Sequence, residues 1–296
     1  MSRGEERQSG IMRLGLVQDA PVLGDIPQTL QQMKGYIQKA GKSGLDINLL
    51  VFPELYVTGY YRDVWETRPT PADELSWLAF IHAAAEREDV WVIFGHPSYR
   101  AESRDFGTTR YGQELPGDCL DLPLYNAISM VSPGGHHATY AKVHLYGLEA
   151  QTFVAGDVFP IWQTPWASIG PQVCFDVEFP EGPRILGLKG ADLLLFPANN
   201  LHPYGGWHRI YAAARGLENR AFAATVNRTG VERGDEFCGG SCVMHPNGTW
   251  LVKASATPGL KVCDIRITDR HEVDASVNYF RFRRPELYGD VSSTGL

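Results

Sequence analysis

An α/β architecture laid down in two rounds within one domain is the expectation from this sequence. Short apolar runs alternate with longer segments of helical periodicity, the alternation occurs twice with a hairpin between, and 44% hydrophobic content over 296 residues suffices for a full core. In the first round LGLVQ (14–18) reads as a buried strand and residues 26–42 carry leucine, methionine and isoleucine at helical spacing. INLLVFPE (47–54) is strand-like, residues 72–87 place Leu75, Leu78, Ile81 and Ala85 on one helical face, and VWVIFGHP (90–97) is a strand. That βαβαβ order predicts a sheet covered by helices.

The polar stretch 101–124, rich in glycine and proline, predicts a loop. YNAISMVSP (125–133) and HATYAKVHL (137–145) form a hairpin across a Gly-Gly turn. The second round follows as strand WASIGPQVC, helix 180–189, strand DLLLFPAN, helix 206–219 and strand AFAATVNR, with GSCVMHPNGTWLVKAS as a closing hairpin across Pro-Asn-Gly. No residue-level repeat or linker divides the rounds. The expected organisation is a disordered lead-in (1–10), a domain (11–275) and a C-terminal tail (276–296) in the polar stretch beginning near 266, contacting a neighbouring subunit.

A net charge of -7 and no Lys/Arg run argue against nucleic acid or an anionic membrane as the main partner, leaving small molecules or proteins. Five cysteines (119, 174, 238, 242, 263) without regular spacing argue against a disulfide framework and for a reduced, cytoplasmic protein. The first ten residues lack the apolar core of a signal peptide, and no apolar stretch is long enough to span a bilayer.

Reactive groups collect where strands open into loops at a sheet edge. Three such ends stand out: Glu54 after VFP, Lys142 in AKVHL, and Cys174 closing PQVC. Singly they read as a loop carboxylate, a solvated lysine and a small core thiol. Together they supply a base, a fixed cation and a nucleophile, the set that cysteine acyl transfer needs. Cys174 has acidic neighbours, Asp176 and Glu178, which disfavour a thiolate unless a cation offsets them. Both are interleaved with Phe175, Val177 and Phe179, and they are expected to point away from Cys174 and to cap or pair with the next helix, where Arg184 lies.

The segments VFPELYVTGY, YAKVHLYGLEAQTFVAGD and GPQVCFDVEFPE resemble, in order, the three signatures of the nitrilase superfamily, the carbon–nitrogen hydrolases. The resemblance runs from about residue 12 to about 285 and takes in AARGLENRAFAATVNRTG and GGSCVMHPNG. It implies an α/β fold of the four-layer α-β-β-α sandwich type. It also implies Glu54 as general base, Lys142 as oxyanion stabiliser, Cys174 as nucleophile and Glu149 as the second glutamate, which positions substrate and orders the Lys142 side. The backbone N–H of Phe175 would share the oxyanion. No cofactor or metal is implied, and protomers would pair through helices like 182–189 and 206–219 into a homodimer or higher homo-oligomer.

The Phe-Asp pair after Cys174 resembles the amidase branches, which implies a small aliphatic or ω-amino amide cleaved to acid and ammonia. Hydrolysis of an N-carbamoyl amine or of a nitrile uses the same triad, and a catalytically silent binding member is the reading of a different class. Asn199 and Asn200 either bind substrate or hold a turn. Tyr60, Tyr61 and Trp207 are pocket candidates, while Arg215, Glu218 and Arg220 read as an exposed or subunit-contact face. On a strand His144 would share a face with Lys142. His136, His137 and His144 lack the ligand spacing of a metal site, and Cys238 and Cys242 read as two ordinary thiols.

Overall fold

The computed structural model describes residues 10–61, 68–100, 122–271 and 276–293. The lead-in 1–9, the stretch 101–121 with Cys119, and residues 62–67, 272–275 and 294–296 lie outside the described residues.

One sheet is built from β1 (Ile11–Gln18), β2 (Leu49–Val51), β3 (Trp91–Ser98), β4 (Tyr125–Val131), β5 (His137–Ala141) and β14 (Gly259–Arg266), in the order β14-β1-β2-β3-β4-β5. Its β1, β2 and β3 run parallel. The other contains β6 (Trp162–Gln163), β7 (Ser168–Pro171), β8 (Leu193–Ala198), β9 (Phe222–Asn227), β12 (Cys242–Met244) and β13 (Trp250–Lys253), in the order β13-β12-β9-β8-β7-β6, with β7, β8 and β9 parallel. A ribbon of β10 (Thr229–Glu232) and β11 (Asp235–Cys238) stands apart.

The layers follow from the two-residue period of a strand. Leu49, Val51, Leu193 and Leu195 fall in the core between the sheets. Their strand neighbours point outward: Leu50 against α1 (Ile26–Ala40) and α2 (Pro71–Glu88), Leu194 and Phe196 against α3 (Glu181–Leu188) and α4 (Gly205–Asn219). Runs such as LLLF are buried on both faces because helices cover the outer ones, as in other parallel sheets. The result is the expected α-β-β-α sandwich.

The first two helices are set by local signals. Asp25 caps α1 by accepting from the Gln28 N–H, and Pro27 sits in its first turn. A Thr70–Asp73 capping box opens α2, and Asp89, at φ 55°, closes it. Met33 and Ile37 of α1 meet Trp77, Leu78 and Ile81 of α2 over the outer face of the first sheet.

One expected boundary changes, and one strand was not expected. The strand over 47–54 stops at Val51, because the chain turns through Pro53 to Leu55, which adopts φ 45°. Gly95 of β3 passes so close beneath that turn that a Cβ there would sit 2.3 Å from the Leu55 nitrogen. Residues 259–266, to which the sequence assigned no element, form β14, paired antiparallel with β1 from Gly259 against Gln18 to Arg266 against Ile11, so the polar stretch begins where a sheet strand ends. Among the described tail residues, Phe280 lies against its own chain, its ring 5.3 Å from the Arg184 guanidinium.

Candidate active site

Glu54 follows β2, Lys142 follows β5, Cys174 follows β7 and Asn199 follows β8, so two edges of the facing sheets meet at one place. Lys142 Nζ donates to Glu54 Oε1 and to Glu149 Oε1, each at 2.8 Å, and all three side chains are buried. Asn126 of β4 donates its Nδ2 to Glu54 Oε1 at 2.7 Å. From the second sheet the Asn199 N–H reaches Glu54 Oε2 at 2.9 Å, and Asn199 Nδ2 donates to the Glu54 carbonyl at 2.8 Å. The Glu54 carboxylate therefore has one geometry.

Cys174 adopts φ 45°, a left-handed conformation that a non-glycine residue rarely takes and that costs on the order of 1–3 kcal/mol. It opens a 3-10 turn, Cys174–Glu178, whose first amides have no intrahelical acceptor. Its sulfur faces a cavity of about 300 Å³ lined by Phe175, Tyr60, Tyr146, Asn200, Trp207 and their neighbours.

Charge is finely divided here. Burial raises the Glu54 pKa from the ordinary 4.5, Lys142 opposes that rise, and Glu149 adds to it. Burial also works against the Lys142 ammonium, but Glu149 and Glu54 outweigh it, so the lysine stays protonated well above its ordinary range. Burial and then Glu54 push the Cys174 thiol well up, with Lys142 and the Asn199 amide opposing them. Those influences favour the thiol over the thiolate at Cys174.

Tyr60 donates its hydroxyl to Glu149 Oε1 at 2.9 Å, and the Tyr146 N–H meets Glu149 Oε2 at 3.1 Å. The loop carrying Tyr60 is held by Glu232, which accepts from the backbone N–H groups of Tyr60 and Tyr61 and is paired with the buried Arg228. Tyr61 packs edge-on against Tyr60, 5.4 Å away, and is not part of the cavity wall. Asn199 and Asn200 both reach the cavity, and their side-chain Nδ2 groups hold backbone: Asn199 the Glu54 carbonyl, Asn200 the Tyr204 carbonyl at 3.2 Å.

The acidic neighbours of Cys174 divide. Asp176 is buried and does not cap α3; it accepts from Tyr140 OH and from the His144 N–H, each at 2.8 Å, and from the Val173 N–H at 2.9 Å. It thus ties the nucleophile turn to the segment after Lys142. Glu178, expected to point away, lines the cavity. Arg184 bonds the Glu218 carbonyl rather than either acid. Arg215 is not an exposed helix residue: it is buried and donates to the carbonyls of Val177 and Glu178, each at 3.0 Å, clamping the far end of the turn. Because β5 ends at Ala141, strand alternation does not relate Lys142 to His144, which stacks on Phe179 at 3.9 Å instead. Cys238 and Cys242 are free thiols on separate strands.

Sequence reasoning missed Asn126, Tyr146, Tyr204 and His208. An asparagine inside the apolar run YNAISMV was the readable sign for Asn126. Tyr204 and His208 flank Trp207 at the start of α4, within one turn of a residue already selected.

Two stacked sheets between helix layers, with a thiol, an ammonium and two carboxylates gathered at strand ends, define an α-β-β-α hydrolase. The chain belongs to the carbon–nitrogen hydrolase family, whose model matches residues 13–273. A nitrilase from Pyrococcus abyssi is 31% identical over 277 residues, covering 88% of this chain and 95% of that protein. An (R)-stereoselective amidase from a Pseudomonas species is 29% identical over 280 residues, covering 94% of each. Among solved structures, an amidase from a Nesterenkonia species superposes with a TM-score of 0.79 at 26% identity, covering 98% of this chain and 100% of that one. A variant of that Nesterenkonia enzyme carries the acetamide moiety of fluoroacetamide covalently on its active-site cysteine.

Proposed function

We propose that the protein hydrolyses a small aliphatic or ω-amino amide to a carboxylic acid and ammonia through a Cys174 thioester. The observation that carries this reading is the Lys142 ammonium bridging Glu54 and Glu149 at 2.8 Å beside a buried thiol in left-handed backbone. As Sγ bonds to the amide carbonyl carbon, Glu54 takes the thiol proton, and the carbonyl electron pair moves to oxygen. That oxyanion is held by Lys142 and by the Phe175 N–H at the opening of the 3-10 turn. Collapse breaks the C–N bond, and Glu54 returns its proton to the departing nitrogen. Water then gives a proton to Glu54 and attacks the thioester, releasing the acid and restoring the thiol. Glu149 holds Lys142, and Tyr60 holds Glu149 while bordering the cavity; no metal or cofactor enters a step.

The amide assignment is tested by ammonia release from a panel of amides, nitriles and N-carbamoyl amines. Amides are expected to have the highest kcat/KM; a preference for nitriles or carbamoyl compounds overturns the assignment.

We also propose a homodimer or larger assembly through α3 and α4. Ile185, Leu188, Ile210 and Leu217 of these helices are exposed apolar residues that an assembly would cover. Light scattering is expected to give at least twice the monomer mass, and a concentration-independent monomer refutes it. Among the described residues no helix is long and apolar enough to cross a membrane, and we place the protein in the cytoplasm.

A further inference from the structure

The cavity is mostly aromatic and apolar, yet Glu178 is set into its wall as the one carboxylate among the described lining residues. Its side chain retains 24% exposure, so water or a ligand can reach it. No arginine or lysine lines the cavity among the described residues. The Arg215 guanidinium gives its donors to the Val177 and Glu178 carbonyls and to the Glu218 carboxylate, leaving the Glu178 carboxylate aside. The ion-pair contact recorded for Glu178 is His208 Nε2 at 3.7 Å, beyond hydrogen-bond reach. Trp207, Tyr204 and Phe175 supply aromatic rings around the same space. A carboxylate without a hydrogen-bonded cation, rimmed by aromatic faces, is the chemistry that receives an ammonium group.

We propose that Glu178 selects substrates whose acyl chain ends in a cation, so that among amides the protein prefers those carrying a terminal ammonium. Cys174 and Glu178 are the two ends of one 3-10 turn. Four residues of such a turn advance roughly 8 Å. A scissile carbonyl at Cys174 and an ammonium at Glu178 are therefore joined by a spacer of a few methylenes, whose apolar flank rests on Phe175 and Trp207. Glu54 and Glu149 do not compete for the cation, because both are buried and both are engaged by Lys142. A substrate with a terminal carboxylate would meet Glu178 as a like charge and be rejected. This inference rests on the amidase reading above, and it specifies which member of that substrate class fits.

The test compares kcat/KM for 5-aminopentanamide and pentanamide in the wild type and in Glu178→Gln, which keeps the side chain's shape. The wild type is expected to favour the amino amide, and the variant to shrink that ratio by about tenfold, the size of a lost hydrogen bond to a charged group. An unchanged ratio, or an equal fall for both amides, overturns the role of Glu178 while the ammonia released keeps the amidase reading intact. A turnover-free measurement reads the same pocket: protection of Cys174 in the wild type from iodoacetamide by pentylammonium against 1-pentanol. Stronger protection by the ammonium supports the proposal even if neither amide is hydrolysed, an outcome that would remove the amidase reading alone. Equal protection by the two overturns it.

Discussion

Replacing Lys142 with methionine is expected to cost the protein stability and activity together. Glu54 and Glu149 share this ammonium as their common partner in a buried space, and removing it leaves two carboxylates facing each other without a counter-charge. Breaking a buried pair in this way costs on the order of 3–5 kcal/mol of stability. The carboxylates relieve the strain by taking up a proton, which removes Glu54 as a base. The oxyanion loses a donor as well, a further cost of roughly 2.7–4 kcal/mol in the transition state. The Lys142→Met variant should therefore show a lower urea midpoint together with a fall in kcat/KM of at least about a hundredfold. A variant with the wild-type midpoint and activity within about tenfold would refute the role assigned to the lysine.

Glu54→Gln is expected to lower kcat/KM by about 10²–10⁴, the usual worth of a positioned general base. Glutamine keeps the volume but not the acceptors. Its one oxygen can satisfy Asn126 and Lys142, and then its amide nitrogen meets the Asn199 N–H donor that Glu54 Oε2 now accepts. The wild-type pH profile carries the matching signature. The base must be ionised to take the thiol proton, and burial raises its pKa from 4.5, so activity should be lost as pH falls through a value above 4.5. The alkaline side should not report Lys142, which remains an ammonium well above its ordinary range. An acid limb at or below 4.5, or the same limb surviving in the glutamine variant's residual activity, would show that another group accepts the proton.

Much of this arrangement was legible before any coordinates. Apolar runs such as LLLF alternating with helical periodicity gave the two α/β rounds, because such patterning is local in sequence, and the four-layer sandwich came with the family resemblance. The three strand ends holding Glu54, Lys142 and Cys174 were legible through their motifs, and each lies at the site. The strand β14 was not, since GLKVCDIR is half-exposed at a sheet edge and has only weak alternation. Strand bounds ran long wherever apolar residues continued past the ladder, as at Phe52–Pro53, where burial belongs to a turn rather than to a strand.

The misread polar residues share a physical reason. Asp176 and Arg215 look like surface charges because charged residues usually are. Each is instead buried, and partners from elsewhere in the chain hold it: Tyr140 and the His144 N–H for Asp176, the Val177 and Glu178 carbonyls for Arg215. Glu178 has the parity of Cys174, so strand alternation would have put the two on one face; the expectation that it points away had no periodic basis, and the segment folds as a 3-10 turn with three residues per turn.

Glu54 and Lys142 hang from one sheet and the Cys174 sulfur from the other, so no covalent segment short enough to be stiff joins the groups of the proposed reaction. Their spacing is kept by the apolar filling between the layers, Leu49 and Val51 against Leu193 and Leu195. A misplacement of about 1 Å between reacting atoms is enough to cost about a hundredfold in rate. Trimming a side chain in that filling, far from any substrate atom, would therefore dull the chemistry before it unfolded the chain, making the dry interior a hidden determinant of turnover.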